Sequence, residues 1–285
     1  MPELFKVAEV TLTPLALLPG VGMLVVGLGF FAYALARRLG WRYLALGALL
    51  WALTVALKFA WAIPVNGPLY KTVMGALPQA LANPLFYVYV GALTGVFEVG
   101  VTWLLLRYTR LGQASWGRVL AFGIGFGAIE AILVGLSPLV TVTLALVSPQ
   151  SLPEVVRGSL EQLNNVWAGL APVWERFFTI WVHIFSCALI FYAVVKRQAR
   201  WFWLAFAYKT GIDAVAAYAQ LSGLQDLAGL DPVARLWAIE AVVGVWGVVG
   251  MLGVRWLARR YPTPPQPAPV EASADVTPQP APRAL

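Results

Sequence analysis

Charge is scarce in this chain. Of 285 residues only 12% are charged, while 60% are hydrophobic and the mean hydropathy is +0.75. A soluble domain carries about 25% charged residues. Half that share cannot solvate a globule of this length, so lipid must be the solvent for most of the surface. Cysteine is nearly absent: Cys187 is the only one and lies within an apolar run, which excludes a disulfide framework and a cysteine-based metal site. Histidine occurs once, as His183. The first ten residues, MPELFKVAEV, lack a basic n-region and are followed by no small-residue cleavage site, so the first helix is expected to insert uncleaved. No basic stripe is present. The net charge of +7 is spread in small groups between apolar runs, which argues against a nucleic-acid partner.

Long apolar runs are what the chain does have. Seven are long enough to cross ~30 Å of hydrocarbon: roughly 13–36, 42–63, 85–106, 117–137, 173–195, 201–221 and 234–257. Pro138 is expected to end or kink the fourth, leaving 139–147 as a short apolar extension. The basic residues alternate with these runs. Arg37, Arg38, Arg42, Arg107, Arg110, Arg118, Lys196, Arg197, Arg200, Arg255, Arg259, Arg260 and Arg283 all fall on every second side. The opposite sides hold Lys6, Lys71, Arg157 and Arg235, and the spans hold Lys58, Arg176 and Lys209. The richer side is cytoplasmic by the positive-inside rule. The expected fold is therefore all-α: a polytopic transmembrane helical bundle of about seven spans, N-terminus out and C-terminus in, multi-pass in the plasma membrane. Residues 1–260 form the transmembrane helical domain. Residues 261–285 are expected to be a disordered, Pro/Ala-rich cytoplasmic tail. The inner connections are expected to be tight and the outer ones longer, with 152–163 an amphipathic helix on the outer surface. Trp41, Trp116 and Trp201, near span ends, read as interface anchors.

Ionisable groups within spans are costly and usually face a cavity or a partner. Measured from the cytoplasmic ends, Glu98, Glu130, His183, Lys209 and Asp213 fall at similar depth near the bilayer centre, on four helices. Lys58, Glu175, Arg176 and Glu240 lie nearer the outside, as substrate-binding or structural polar groups. Lys209 and Asp213 are i, i+4, and Arg176 and His183 seven apart, so each pair shares a helix face. Phe122, Phe126 and Glu130 form a four-residue ladder. The plainer reading makes these residues ion-pair glue between helices: Lys209 with Asp213 or Glu98, and Glu175 with Arg176 or Lys58. Glycines beside the acids, in GALTGVFEVG (91–100) and GIGFGAIEAILVG (123–135), suit close helix packing.

Four of these segments, in order, resemble the YhfC-type family of intramembrane endopeptidases, related to the CAAX-processing and PrsW-type proteases. The family pattern G-x-x-A-G-x-x-E-E-x-x-R is similar to GALTGVFEVGVT, with Glu98 at the first Glu. F-G-x-G-H-G-x-x-E-A is similar to FGIGFGAIEA (122–131), E-R followed by His to ERFFTIWVH (175–183), and H-x-x-x-D to KTGID (209–213). The departures are Val99 for the second Glu, Thr102 for the Arg, and Phe126 and Lys209 for two histidines. The resemblance implies peptide hydrolysis, with a Glu activating water and histidines orienting it or binding metal. Glu98, Glu130, His183, Lys209 and Asp213 are then the catalytic candidates: Glu98 as general base, His183 orienting water or stabilising the oxyanion, and Lys209 standing in electrostatically for a histidine. Lys209 could equally neutralise Glu98. One histidine among scattered carboxylates is a poor zinc set, so no metal ligand and no cofactor is expected, although zinc is left open. The expected substrate is a membrane protein or lipid-associated peptide. The alternatives are a catalytically silent pseudoprotease that binds membrane proteins, or a proton- or solute-coupled transporter; no inverted repeat is visible to support transport.

Overall fold

The computed structural model describes residues 5–7, 10–148 and 164–262. The amphipathic helix expected over 152–163 and nearly all of the tail lie outside these residues. Two three-residue strands, β1 (Phe5–Val7) and β2 (Val10–Leu12), pair antiparallel at the start. All else is helical: α1 (Leu18–Ala36), α2 (Trp41–Ala76), α3 (Gln79–Tyr108), α4 (Trp116–Val147), α5 (Val166–Lys196), α6 (Ala199–Ser222) and α7 (Pro232–Ala258). The protein is an all-α, multi-pass membrane bundle.

Among the described residues, six of these seven helices are long and apolar enough to cross a membrane. The exception is α6, whose 24 residues would reach about 36 Å. Its apolar content is diluted by Lys209, Thr210, Asp213 and Gln220. Lys209, Thr210 and Asp213 are tolerated because α6 packs against α3 and α5 and turns them inward, while Gln220 is exposed near its outer end. Two helices outrun their expected ends. α2 continues through Pro64 and Pro68 to Ala76, and α4 passes Pro138 to Val147. A proline removes one helical hydrogen bond, and a membrane helix with neighbours tolerates that. As a result the outer connection between α2 and α3 shrinks to residues 77–78, where a longer one was expected.

α4 and α5 form the centre. In α5, 78% of the most apolar window is buried, against 22% in α2. Glycines set the spacings. A Cβ on Gly123 would fall 2.7 Å from the Ile184 Cα, and one on Gly127 3.0 Å from the His183 Cβ, so α4 and α5 meet backbone to backbone beside the histidine. Gly91 does the same for α3 against the Thr210 carbonyl of α6, and Gly95 makes room for the Thr210 and Phe206 side chains. Gly91→Leu should therefore destabilise the protein by about 1–3 kcal/mol. Gly29→Leu, at a position with nothing within 4 Å, should be neutral. Thermal unfolding of both variants in detergent checks this, and equal effects would remove the packing role.

Six cation–π contacts join Arg42, Arg107, Arg118, Lys196, Arg200 and Arg260 to Trp41, Trp103, Tyr43, Tyr192, Trp201 and Trp256. All lie at the helix ends that the charge pattern assigns to the cytoplasm, which is the arrangement of an interfacial belt. A reporter fused after Arg260 should accordingly read cytoplasmic and one inserted at Asn164 external. The reverse at either position would overturn the orientation.

Candidate functional site

The third helix is not uniform. It runs as α-helix over Gln79–Thr94, as π-helix over Gly95–Gly100, and as α-helix again over Val101–Tyr108. Glu98 sits in the π segment. Such a wide turn inserts a residue into the helix and re-aims its side chains, and it is frequent at functional sites. Here it aims the Glu98 carboxylate, 4% exposed, at two ammonium groups. Lys58 Nζ is 3.0 Å from Glu98 Oε1 and also donates to Thr94 Oγ1 at 3.2 Å. Lys209 Nζ is 3.2 Å from Glu98 Oε2.

Glu130 organises a second cluster. His183 Nε2 lies 2.7 Å from Glu130 Oε2, and the Trp51 indole N–H donates to the same oxygen at 3.0 Å. Arg176 pairs with Glu130 Oε1 and with Glu175 Oε1. The two clusters meet at His183, whose Nδ1 is 3.9 Å from Glu98 Oε2. Neither of these two atoms has an aligned hydrogen-bond partner among the described residues. The rings of Phe126 and His183 pack with centroids 5.3 Å apart, and Phe126 also contacts Phe122.

One cavity of about 550 Å³ takes in Glu98, Glu130, His183, Lys209 and Asp213 together with Lys58, Glu175 and Arg176. The five midplane candidates thus share one space, and three of the four residues assigned nearer the outside join them. Lys58 reaches Glu98 because side chains tilt toward their helix's N-terminus, which in α2 is the cytoplasmic end. Glu240 is the one that stays apart. Its carboxyl is buried in α7 outside the cavity lining, with Oε2 unpartnered among the described residues, and its carbonyl accepts from Trp174 Nε1 at 2.9 Å. Asp213 lines the cavity on the same face of α6 as Lys209.

Two contributors were not singled out from the sequence. Trp51 lies mid-span, away from any interface, and that position was the available signal. Thr94 precedes Glu98 by four residues and so shares its face. A cation cage is not formed: among the described residues no three His, Cys, Asp or Glu side chains gather to hold a metal ion. Instead each carboxylate meets a cationic side chain, Lys58 and Lys209 at Glu98 and Arg176 at Glu130.

No solved structure matches this chain. A protein of Bacillus subtilis (strain 168) described as an uncharacterized membrane protein YhfC is 31% identical over 141 residues, covering 42% of this chain and 52% of that protein. The matched part thus spans about half the length of that relative. The family described as YhfC intramembrane metalloprotease matches residues 22–231, from α1 to the start of α7, and the chain belongs to that family.

Proposed function

We propose that the chain is an intramembrane endopeptidase-like protein of the plasma membrane that hydrolyses membrane-embedded or lipid-associated peptides at the Glu98–His183–Glu130 centre. The observation that carries this reading is the unpartnered His183 Nδ1 facing Glu98 Oε2 at 3.9 Å inside a polar cavity. That separation suits one bridging water. With Glu130 fixing Nε2 at 2.7 Å, the Nδ1 lone pair is available to take a proton from the water. Both Glu98 oxygens already face ammonium ions, so Glu98 orients the water and His183 is the more available base. The Lys209 ammonium stands where it can stabilise the oxyanion of a tetrahedral intermediate. Asp213 lines the same cavity and would bind the peptide N–H groups.

The family's description implies a metal ion, and the donors present here do not fit one. A catalytic zinc takes about three protein ligands at about 2.0–2.2 Å. Here Glu98 and Glu130 flank His183 on opposite ring nitrogens, and three cations stand at the two carboxylates.

The clamp on Glu98 also favours a second reading, in which the protein binds transmembrane segments without cutting them. Purified protein incubated with a panel of transmembrane substrates separates the two. Cleavage that Glu98→Gln diminishes supports the hydrolase. Capture of substrates with no cleavage supports the silent relative.

A further inference from the structure

The cavity is one-sided along the membrane normal. Its deepest lining residues on three helices are Trp51, Glu98 and Lys209. Each lies ten positions from the cytoplasmic end of its helix (51 − 41, 108 − 98 and 209 − 199), or about 15 Å. Every other lining residue lies at that depth or farther out, as far as Asn66 of α2 and Gln220 of α6. The cytoplasmic half beneath is filled: Leu106, Val119, Phe122, Leu189 and Phe191 are 0% exposed. Phe122 packs edge-on against Phe191 at 5.3 Å, closing the floor below His183. The carboxylates grade the same way. Side-chain exposure rises from 4% at Glu98 to 20% at Glu130 and 32% at Glu175. Among the described residues the cavity therefore extends toward the outer ends of the helices and is closed toward the ends that the charge pattern assigns to the cytoplasm.

A second recess, about 860 Å³, lies at the outer ends of α2, α3 and α6. It is lined by Gln79, Asn83, Tyr87, Tyr218, Ser222 and Gln225 among others, and none of its lining side chains among the described residues is charged. Amides, hydroxyls and aromatic faces without charge complement an extended, neutral polypeptide backbone.

We propose that the site is loaded from the non-cytoplasmic face, by a membrane polypeptide whose outer-leaflet end enters the cavity and whose neutral flank just outside the membrane lies in the recess. The proposal deepens the hydrolase reading by naming the substrate segment, and it stands equally if the bound segment is never cut. On this account the cytoplasmic half of a substrate helix never reaches His183, and both products leave on the outer side.

The test uses full-length protein with Cys187→Ser and a single new cysteine, Ala62→Cys or Ala216→Cys in the cavity wall, with Arg107→Cys as the cytoplasmic control. A membrane-impermeant, charged thiosulfonate is applied to right-side-out and inside-out vesicles. Both cavity cysteines should react at least tenfold faster from the face opposite the C-terminus, and Arg107→Cys should show the reverse. Faster reaction from the C-terminal face, or no reaction from either face, overturns the proposal. In a second arm, transmembrane peptides carry one cysteine in the outer or the inner third. Disulfide formation with Ala216→Cys by the outer-third peptide alone is expected. Equal capture of both, capture of the inner-third peptide alone, or capture of neither refutes the assigned substrate segment. Neither arm requires hydrolysis, so failure here is distinct from failure of the cleavage assay.

Discussion

Arg176→Met should destabilise the folded protein by about 3–5 kcal/mol, the typical cost of leaving a buried ion unpaired. Arg176 is 8% exposed and holds Glu130 of α4 and its neighbour Glu175 at once. Methionine fills the hydrocarbon part of the space but leaves the Glu130 and Glu175 carboxylates without their guanidinium partner. Removing one of those charges as well should recover part of the loss, so Arg176→Met with Glu130→Gln is expected to be more stable than the sum of the single variants predicts. Denaturant unfolding in a fixed detergent measures all three. A cost for Arg176→Met below about 1 kcal/mol would place this ion pair among exposed, weak ones.

The second large effect is on turnover and separates the roles of two residues. His183→Ala removes the proposed proton acceptor. It should lower kcat by about 10²–10⁴-fold, the usual contribution of a positioned general base. Its effect on KM should be small, because the cavity wall contributed by α2, α3 and α6 is untouched. Glu98→Gln keeps the side-chain shape but leaves Lys58 and Lys209 facing an amide. It should lose both activity and stability, since two ammonium groups then share a site with no carboxylate between them. Steady-state kinetics with unfolding measurements on the same samples reads the difference. Loss of activity with unchanged stability in Glu98→Gln, alongside retained activity in His183→Ala, would make Glu98 the base and His183 the orienting group.

The membrane class and the clustering of most of the candidate polar residues were legible from residue pattern alone. Charge alternation and run length are direct consequences of the bilayer as solvent, so the helices follow from them without tertiary information. The burial cost of an ion does the same for Glu98, Glu130, His183 and Lys209, because such residues persist in spans only where they meet partners. The failures have local causes. The second span is expected to end near residue 63, yet α2 runs on through Pro64 and Pro68 to Ala76, because helix-breaking residues are tolerated in a membrane bundle. Lys58 was assigned to the outer set because depth was counted at the backbone, and its long side chain bridges the difference. The π-helical turn carrying Glu98 is a hydrogen-bond shift over six residues that leaves no periodic trace in composition. Trp51 carries no ionisable group to mark it in the sequence, and its part in the cluster lies in an indole N–H that donates to Glu130. The glycines at 91, 95, 123 and 127 read as packing positions, and each meets a neighbouring helix closely, Gly95 through the side chains of Thr210 and Phe206.

The proposed chemistry is metal-free: a glutamate–histidine pair held by cationic side chains cuts a membrane peptide. It is tested most directly by cleavage of a transmembrane substrate by purified protein, before and after exhaustive chelation, beside His183→Ala handled identically. The account predicts equal cleavage by chelated and untreated wild type, and none above background by His183→Ala. Activity that vanishes on chelation and returns with a divalent metal, or cleavage that survives in His183→Ala, would contradict it.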